Sequence, residues 1–408
     1  MTRPTPMLAG MLLALLLGCP WAAAQAAPDT QSPKLASPAA AATGPSFDQL
    51  AKKAVAAKEA GQFDDAIQYY GQALAMRPGW IEGHWALATL LYDLDRYSEA
   101  RDHFRRVVQA EPKNGLALGL KGLCEVQLKN YERALGELQQ ARALGIPSPE
   151  VLSVAGYQAA TLLNRFERYE AAFEILREFS LQEKDSPGVI EAFGLSILRL
   201  PYLPSEAPPE KREMILMAGR AAFQMAKGRR SAAGRMAFEE LVGRYPTAPN
   251  VHYAYGTFML PEEPDVALEE FRRELRASPS HYHAMLQIAY ELLKRGNYQE
   301  ALPLAEKAVE LAPNLFPARN ALGRALFESG QTERAVEELE AGVKLAPDSP
   351  ELRFALARAY QRLGRTDDAV RERAEFLKLD RATRAARSGP QSVGGKPAEP
   401  ESPRNEKN

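Results

Sequence analysis

His281-Tyr282-His283 is the arrangement in this chain that comes nearest to a metal site, with two imidazoles one residue apart. Zinc needs further ligands that close a tetrahedron around it, and this pair follows Ser278-Pro279-Ser280, which reads as the entry to a helix. His84, His103 and His252 stand alone in the sequence. Cys124 lies in GLKGLCEVQL, among apolar neighbours, and reads as a buried small hydrophobe rather than a reactive thiol. Gly394-Gly395-Lys396 lacks both the first glycine and the hydroxyl residue that a phosphate loop requires. The chain contains no HExxH, CxxC or GxSxG. Its carboxylates are spread along helix faces among Lys and Arg, as on solvated surfaces. These residues predict no catalytic centre, no cofactor and no metal.

The 408 residues carry 51 Lys+Arg against 52 Asp+Glu, a net charge of -1. A chain so balanced has no global field with which to hold nucleic acid or an anionic membrane. Two cysteines cannot build a disulfide framework, and 46% hydrophobic residues is too many for a wholly disordered chain. Residues 1–26 read as a secretory signal. Arg3 opens it, Met7 to Leu17 form an apolar core too short to span a bilayer, and Ala24-Gln25-Ala26 fits a small-x-small cleavage pattern. The rival reading takes Leu16-Leu17-Gly18-Cys19 as a lipoprotein box, with Cys19 acylated and the chain anchored to the outer membrane. Either way the expected location is outside the cytoplasm, in the periplasm. Membrane attachment is expected only if Cys19 is lipidated. Residues 27–46 form a flexible Ala/Pro/Ser linker and residues 384–408 a disordered tail.

The elements between these ends follow a strict period. GQFDDAI, DRYSEAR and KNYERAL begin at residues 61, 95 and 129, in steps of 34. GNYQEAL, GQTERAV and GRTDDAV begin at 296, 330 and 364, again in steps of 34. Ala66, Ala100 and Ala134 keep one phase, as do Ala301, Ala335 and Ala369. Each unit reads as two helices joined by a short turn. In the unit opening near Tyr282, the first helix stops at Gly296, where glycine accepts a positive φ, and the second ends at Pro313, which has no N–H to continue the ladder. The small residues let antiparallel neighbours approach closely.

These residues resemble the tetratricopeptide repeat family, in which a small residue in the first helix, an aromatic after the turn, an alanine in the second helix and a closing proline recur at this period. Ala88, Tyr97, Ala100, Phe104 and Pro112 carry the match in one unit. Ala289, Tyr298, Ala301, Ala308 and Pro313 carry it in another. The resemblance implies an all-α fold, an α-solenoid of antiparallel helix pairs. It also implies binding of protein segments along a concave face rather than catalysis. The expected organisation is an N-terminal array over 47–184, an irregular helix and Pro-rich loop over 185–214 (Pro201, Pro204, Pro208 and Pro209), and a C-terminal array over 215–383.

Helical spacing then separates a packed side from an open side on each first helix. Leu322, Gly323 and Leu326 fall on the packed side, whereas Asn320, Arg324 and Phe327 share another. One repeat later the open row is Phe354, Arg358 and Gln361, with Arg362 beside it; one repeat earlier it includes Tyr290. Near the N-terminus the corresponding row is Trp85, Thr89 and Tyr92. The resemblance puts these rows in the groove. The Arg row suits an extended peptide bearing carboxylates, or a peptide C-terminus, because arginine offers a bidentate fork; the aromatic row suits an apolar or helical segment. The alternative for the arginines is pairing with neighbouring carboxylates, and for Trp85 it is packing between repeats. The family's variant that clamps chaperone C-termini needs lysines where this chain has Leu286 and Glu351, so that partnership is not expected. The expected partners are other envelope proteins or their peptide segments, with self-association as a further option. A scaffold is the leading expectation, and a repeat-containing subunit of an enzyme or of an envelope assembly complex (outer-membrane, pilus, cytochrome or cell-wall biogenesis) is the alternative.

Overall fold

A computed structural model describes residues 44–228 and 232–388, and among these it contains nineteen α-helices and no strand. The signal segment, Cys19, most of the 27–46 linker and Gly394-Gly395-Lys396 lie outside the described residues. The chain divides into two compact units, which part between Ala237 and Phe238.

In the first unit the helices are α1 (Phe47–Glu59), α2 (Phe63–Met76), α3 (Ile81–Asp93), α4 (Tyr97–Ala110), α5 (Gly115–Gln127), α6 (Tyr131–Leu144), α7 (Pro149–Arg165), α8 (Tyr169–Leu181), α9 (Pro187–Ile197) and α10 (Arg212–Ala226). Helix α11 (Ala232–Arg244) contains the division. The second unit continues with α12 (Val251–Met259), α13 (Pro264–Ala277), α14 (Tyr282–Lys294), α15 (Tyr298–Leu311), α16 (Phe316–Glu328), α17 (Thr332–Leu345), α18 (Pro350–Arg362) and α19 (Thr366–Ser388). Within each unit successive helices pack as antiparallel hairpins, and each hairpin packs on the next. This is the solenoid that the period predicts.

The seams between paired helices are built from small residues. Ala54, Ala66, Ala88, Ala100, Ala134, Ala289, Ala301 and Ala335 have no exposed surface. Gly323 shows why: a Cβ there would stand 2.5 Å from Leu339 Cγ. Around these crossings the fully buried rings of Phe104, Phe193, Phe238 and Phe271 fill the layer, each worth about 2–3 kcal/mol of transfer free energy. Turns between paired helices need one residue at positive φ. Gly61, Gly296, Gly330 and Gly364 provide it at φ 72–82°, whereas Asp95, Lys129 and Glu167 adopt φ 59–62° in spite of their side chains.

Two boundaries differ from the sequence reading. The span 185–214 is not only an irregular joint. It contributes α9 and the start of α10, and both helices belong to the same unit as α1–α8. They approach backbone to backbone: a Cβ on Gly194 would sit 1.9 Å from the Ile215 carbonyl oxygen, and one on Gly219 1.9 Å from that of Ile190. A crossing in which each glycine faces an isoleucine backbone of the other helix replaces the alanine seam here, so it escapes a search for the repeat's alanines. The prolines are confined to the connection, which makes 3₁₀ turns at Pro204–Glu206 and Pro209–Lys211. Leu203 packs on the core there and Arg165 pairs with Glu206 at 3.2 Å. At the other end α19 runs on to Ser388, beyond the 383 boundary; it has no proline or glycine to stop it.

Candidate binding cleft

In the second unit, side chains from α16, α17, α18 and α19 enclose a cleft of about 360 Å³, within the usual range for ligand sites. Helix α16 contributes Asn320, Arg324, Phe327 and Glu328, and α18 contributes Pro350, Glu351, Phe354, Ala355 and Arg358. Five residues of the sequence-derived row, Asn320, Arg324, Phe327, Phe354 and Arg358, thus meet in one place. Spacing of three and four along each helix puts them on one stripe, and stacking of consecutive hairpins sets the two stripes side by side.

Their states differ. Arg324 is exposed and makes no ion pair or hydrogen bond with any of the described residues. Arg358 pairs with Glu328 at 3.2 Å and lies over the Phe327 ring at 4.8 Å. The other carboxylates of the lining are also engaged: Glu351 accepts the Ser349 hydroxyl at 3.0 Å, and Asp380 pairs with Arg384 at 2.9 Å. Arg324 is therefore the one cationic group of the lining left for a ligand, although three acidic residues stand nearby. Phe354 remains 46% exposed and its ring meets that of Phe376 at 5.2 Å, forming an apolar seat at the mouth.

Other residues of the row have other roles. Phe327 is buried, and its ring takes the Arg362 guanidinium at 3.6 Å while its carbonyl accepts from Arg362 at 2.6 Å. Arg362 is consumed by that contact and does not line the cleft. Gln361 is exposed outside the lining. Tyr290 stands behind the cleft. Its hydroxyl donates to the Pro317 carbonyl at 2.7 Å, and burial pushes the phenol up to about 12, against opposing pulls from Arg324 and from a hydrogen bond with Asn320. Sequence reasoning missed Phe376 and Asp380. Phe376 and Leu377 in α19 were the available signal that the last helix continues the array.

The N-terminal row makes contacts within its own unit. Thr89 is buried and its hydroxyl donates to the Ala86 carbonyl at 3.0 Å. Trp85 packs edge-on against Phe104, with centroids 5.7 Å apart, and Tyr92 packs edge-on against Tyr97 at 5.4 Å. Burial pushes the Tyr92 phenol up to about 12. Trp85 and Tyr92 are half-buried, each turned toward an aromatic neighbour of its own unit.

The remaining chemistry-bearing residues are structural. The His281 ring caps α14, accepting from the Ala284 N–H at 3.0 Å, and its other nitrogen meets Asn250 Oδ1 at 2.7 Å. Cys124 is buried, and desolvation pushes its thiol up to about 12, which leaves it a poor nucleophile. Among the described residues no group of three or more His, Cys, Asp or Glu is placed to hold a metal, and no helix is long and apolar enough to cross a membrane.

The fold and its period place the chain among repeat proteins of the helix-hairpin type. Comparison with known proteins specifies the class: the tetratricopeptide repeat pattern matches residues 57–124, 262–315, 292–351 and 326–386, in both units. A stretch of 118 residues is 30% identical to the general transcriptional corepressor trfA of Dictyostelium discoideum, covering 29% of this chain and only 8% of that protein. Among solved structures, MamA 41-end from Desulfovibrio magneticus RS-1 is 23% identical with a TM-score of 0.38, covering 42% of this chain and 98% of that one. MamA MSR-1 C2 is 19% identical with a TM-score of 0.35, again over 42% of this chain and 98% of that one. Tetratricopeptide repeats over these residues suggest a protein–protein interaction scaffold.

Proposed function

We propose that this protein is a non-catalytic scaffold of the cell envelope, exported through residues 1–26, which captures a segment of a partner protein in the cleft between α16, α18 and α19. The observation that carries the reading is the meeting of four open-row residues around the Arg324 guanidinium, which no carboxylate among the described residues has paired. Neighbouring charges and rings are satisfied internally, and Arg324 and the Phe354 seat are left available. Cleavage after Ala26 is the proposed processing, with acylation of Cys19 as the alternative; mass spectrometry of the mature N-terminus separates the two.

The functional test is crosslinked capture from an envelope extract, comparing the wild type with the Arg324→Ala plus Arg358→Ala variant. The proposal expects a partner that the wild type retains and the variant loses, with little change in Tm, because exposed ion pairs contribute only about 0–1 kcal/mol. Identical capture by both proteins would refute the cleft as the docking site.

A further inference from the structure

The apolar seat of the cleft is formed by the last two helices. Phe354 of α18 is 46% exposed, and Phe376 of α19 is tilted against it at 50°, with centroids 5.2 Å apart. Two rings set at an angle leave a notch between their faces, and Pro350 and Ala355 also line the cleft. Aromatic notches are a recurring receptor of polyproline II chain. Such a chain is extended before it binds, so it loses little entropy when it docks.

The second observation is where α19 leads. Past Phe376 the helix runs on to Ser388, about 18 Å along its axis. Gly389-Pro390 follows at once and Gly394-Gly395 soon after. Proline cannot continue the helix, and glycine takes the φ values of a reversal. Pro397 comes nine residues after Ser388. That length spans about 30 Å when extended, more than the way back to the notch.

A third observation is a pattern in the sequence beyond α19. Pro397, Pro400 and Pro403 recur at every third residue. Polyproline II has three residues per turn, so the three rings share one face. Glu399 and Glu401 flank the middle proline, and Lys396 and Arg404 close the ends, so residues 396–404 carry no net charge. The lining also mixes signs, Arg324 and Arg358 with Glu328, Glu351 and Asp380. No excess of like charge opposes docking, and the proline face is the distinctive part of the segment.

Resting on the reading of the cleft as a partner site, we infer that residues 396–404 of the same chain lie across the Phe354–Phe376 notch as polyproline II, a placeholder that an arriving partner displaces. The short tether holds the segment at an effective concentration in the millimolar range, so weak ring contacts suffice. A partner must compete with it, and its apparent affinity is lowered by the fraction of molecules whose cleft is open.

The test places a benzophenone side chain at position 354 of the purified full chain, irradiates it with no partner present and maps the product by peptide mass spectrometry. The expected product is an adduct to residues 396–404 of the same molecule, with a yield that does not change on dilution. Pro397→Ser, Pro400→Ser and Pro403→Ser together should abolish it. With Phe354 intact, the same three substitutions should raise partner capture at least about 2-fold, the gain when the cleft had been closed half of the time. Absence of an adduct to 396–404 would overturn the inference, as would a yield that falls on dilution, which marks a second copy as the occupant. An adduct that survives the proline substitutions and is lost with Glu399→Gln plus Glu401→Gln would overturn it too. Each of these results leaves the cleft as docking site standing. That reading fails separately, if capture does not respond to Arg324→Ala plus Arg358→Ala.

Discussion

Two rows of side chains occupy the same stations in their repeats and have opposite fates. In the first unit Trp85, Thr89 and Tyr92 turn into the layer, onto Phe104, onto the backbone and onto Tyr97. In the second unit Asn320, Arg324, Phe354 and Arg358 surround an open cleft. Register puts a residue in the row, and the neighbouring helix decides whether it stays open. Arg324 stays in water because the carboxylates beside it are taken, Glu328 by Arg358, Glu351 by Ser349 and Asp380 by Arg384, and Phe354 stays 46% exposed even with the Phe376 ring beside it.

The sharpest contrast should come from truncating each row. Trp85→Ala removes packing on Phe104 and should destabilise the first unit by about 2–3 kcal/mol, read as faster hydrogen exchange in α3 and α4, without loss of partner capture. Arg324→Ala plus Arg358→Ala should do the reverse. If the Trp85 variant keeps its stability and loses its partner, the contrast between the rows is broken.

Seams should behave alike in both units, since each depends on alanines with no exposed surface. Ala100→Leu and Ala335→Leu should each overpack a crossing and cost about 1–3 kcal/mol, seen as a lower Tm. An unchanged Tm for either would place that alanine away from the crossing.

A second pair of equivalent stations responds to pH with opposite sign. His84 reaches the Pro78 carbonyl at 3.0 Å and His103 at 2.8 Å, while His252 reaches the Pro246 carbonyl at 2.9 Å and Glu270 at 2.6 Å. Arg319 and Arg353 span the same stations, reaching Pro313 and Glu338 or Pro347 and Glu372. Burial, with His84 and Arg106 adding to it against Asp102 and Glu99, lowers the pKa of His103. The unfolded chain then binds the proton more readily, and the first unit should lose stability as pH falls below about 6.5. The hydrogen bond to Glu270 raises the pKa of His252 against its desolvation, with the Pro246 carbonyl and Glu274 adding. Its contribution is present below about 6.5 and is lost as pH rises through the folded value. Hydrogen exchange at pH 5.5 and 8 should therefore shift in opposite directions in α3–α4 and in α12–α13. Replacing His103 and His252 by Gln should flatten both trends.

The smallest effect should come from a turn. Asp95 holds φ 59° at the station that Gly61 fills one repeat earlier and Gly296, Gly330 and Gly364 fill in the second unit. Asp95→Gly relieves a left-handed conformation worth about 1 kcal/mol, offset in part by the entropy that glycine adds to the unfolded chain. The expected result is a small rise in Tm; a fall would mean that the Tyr97–Asp95 hydrogen bond outweighs the strain.

The repeat itself was legible because a 34-residue period with prolines, turn glycines and seam alanines is written directly in residue types. The α9–α10 hairpin was obscured because its crossing is made by Gly194 and Gly219 and its connection is rich in proline, both of which read as breaks. The open row of the second unit was legible as a stripe, but its pairing was not. Whether Arg324 or Arg358 finds Glu328 depends on side-chain reach across helices, which spacing along one helix does not encode. Thr89 and Trp85 show the same limit from the other side, since their neighbours come from packing rather than from register.

The claim that the second unit's row receives the partner and the first unit's row does not is tested most directly by photo-crosslinking. A benzophenone side chain would be placed at position 354 in one protein and at position 85 in another, each expressed in full in its native cells. The account predicts a partner adduct from position 354 and none from position 85. Adducts only from position 85, or from neither while capture still succeeds, would contradict it.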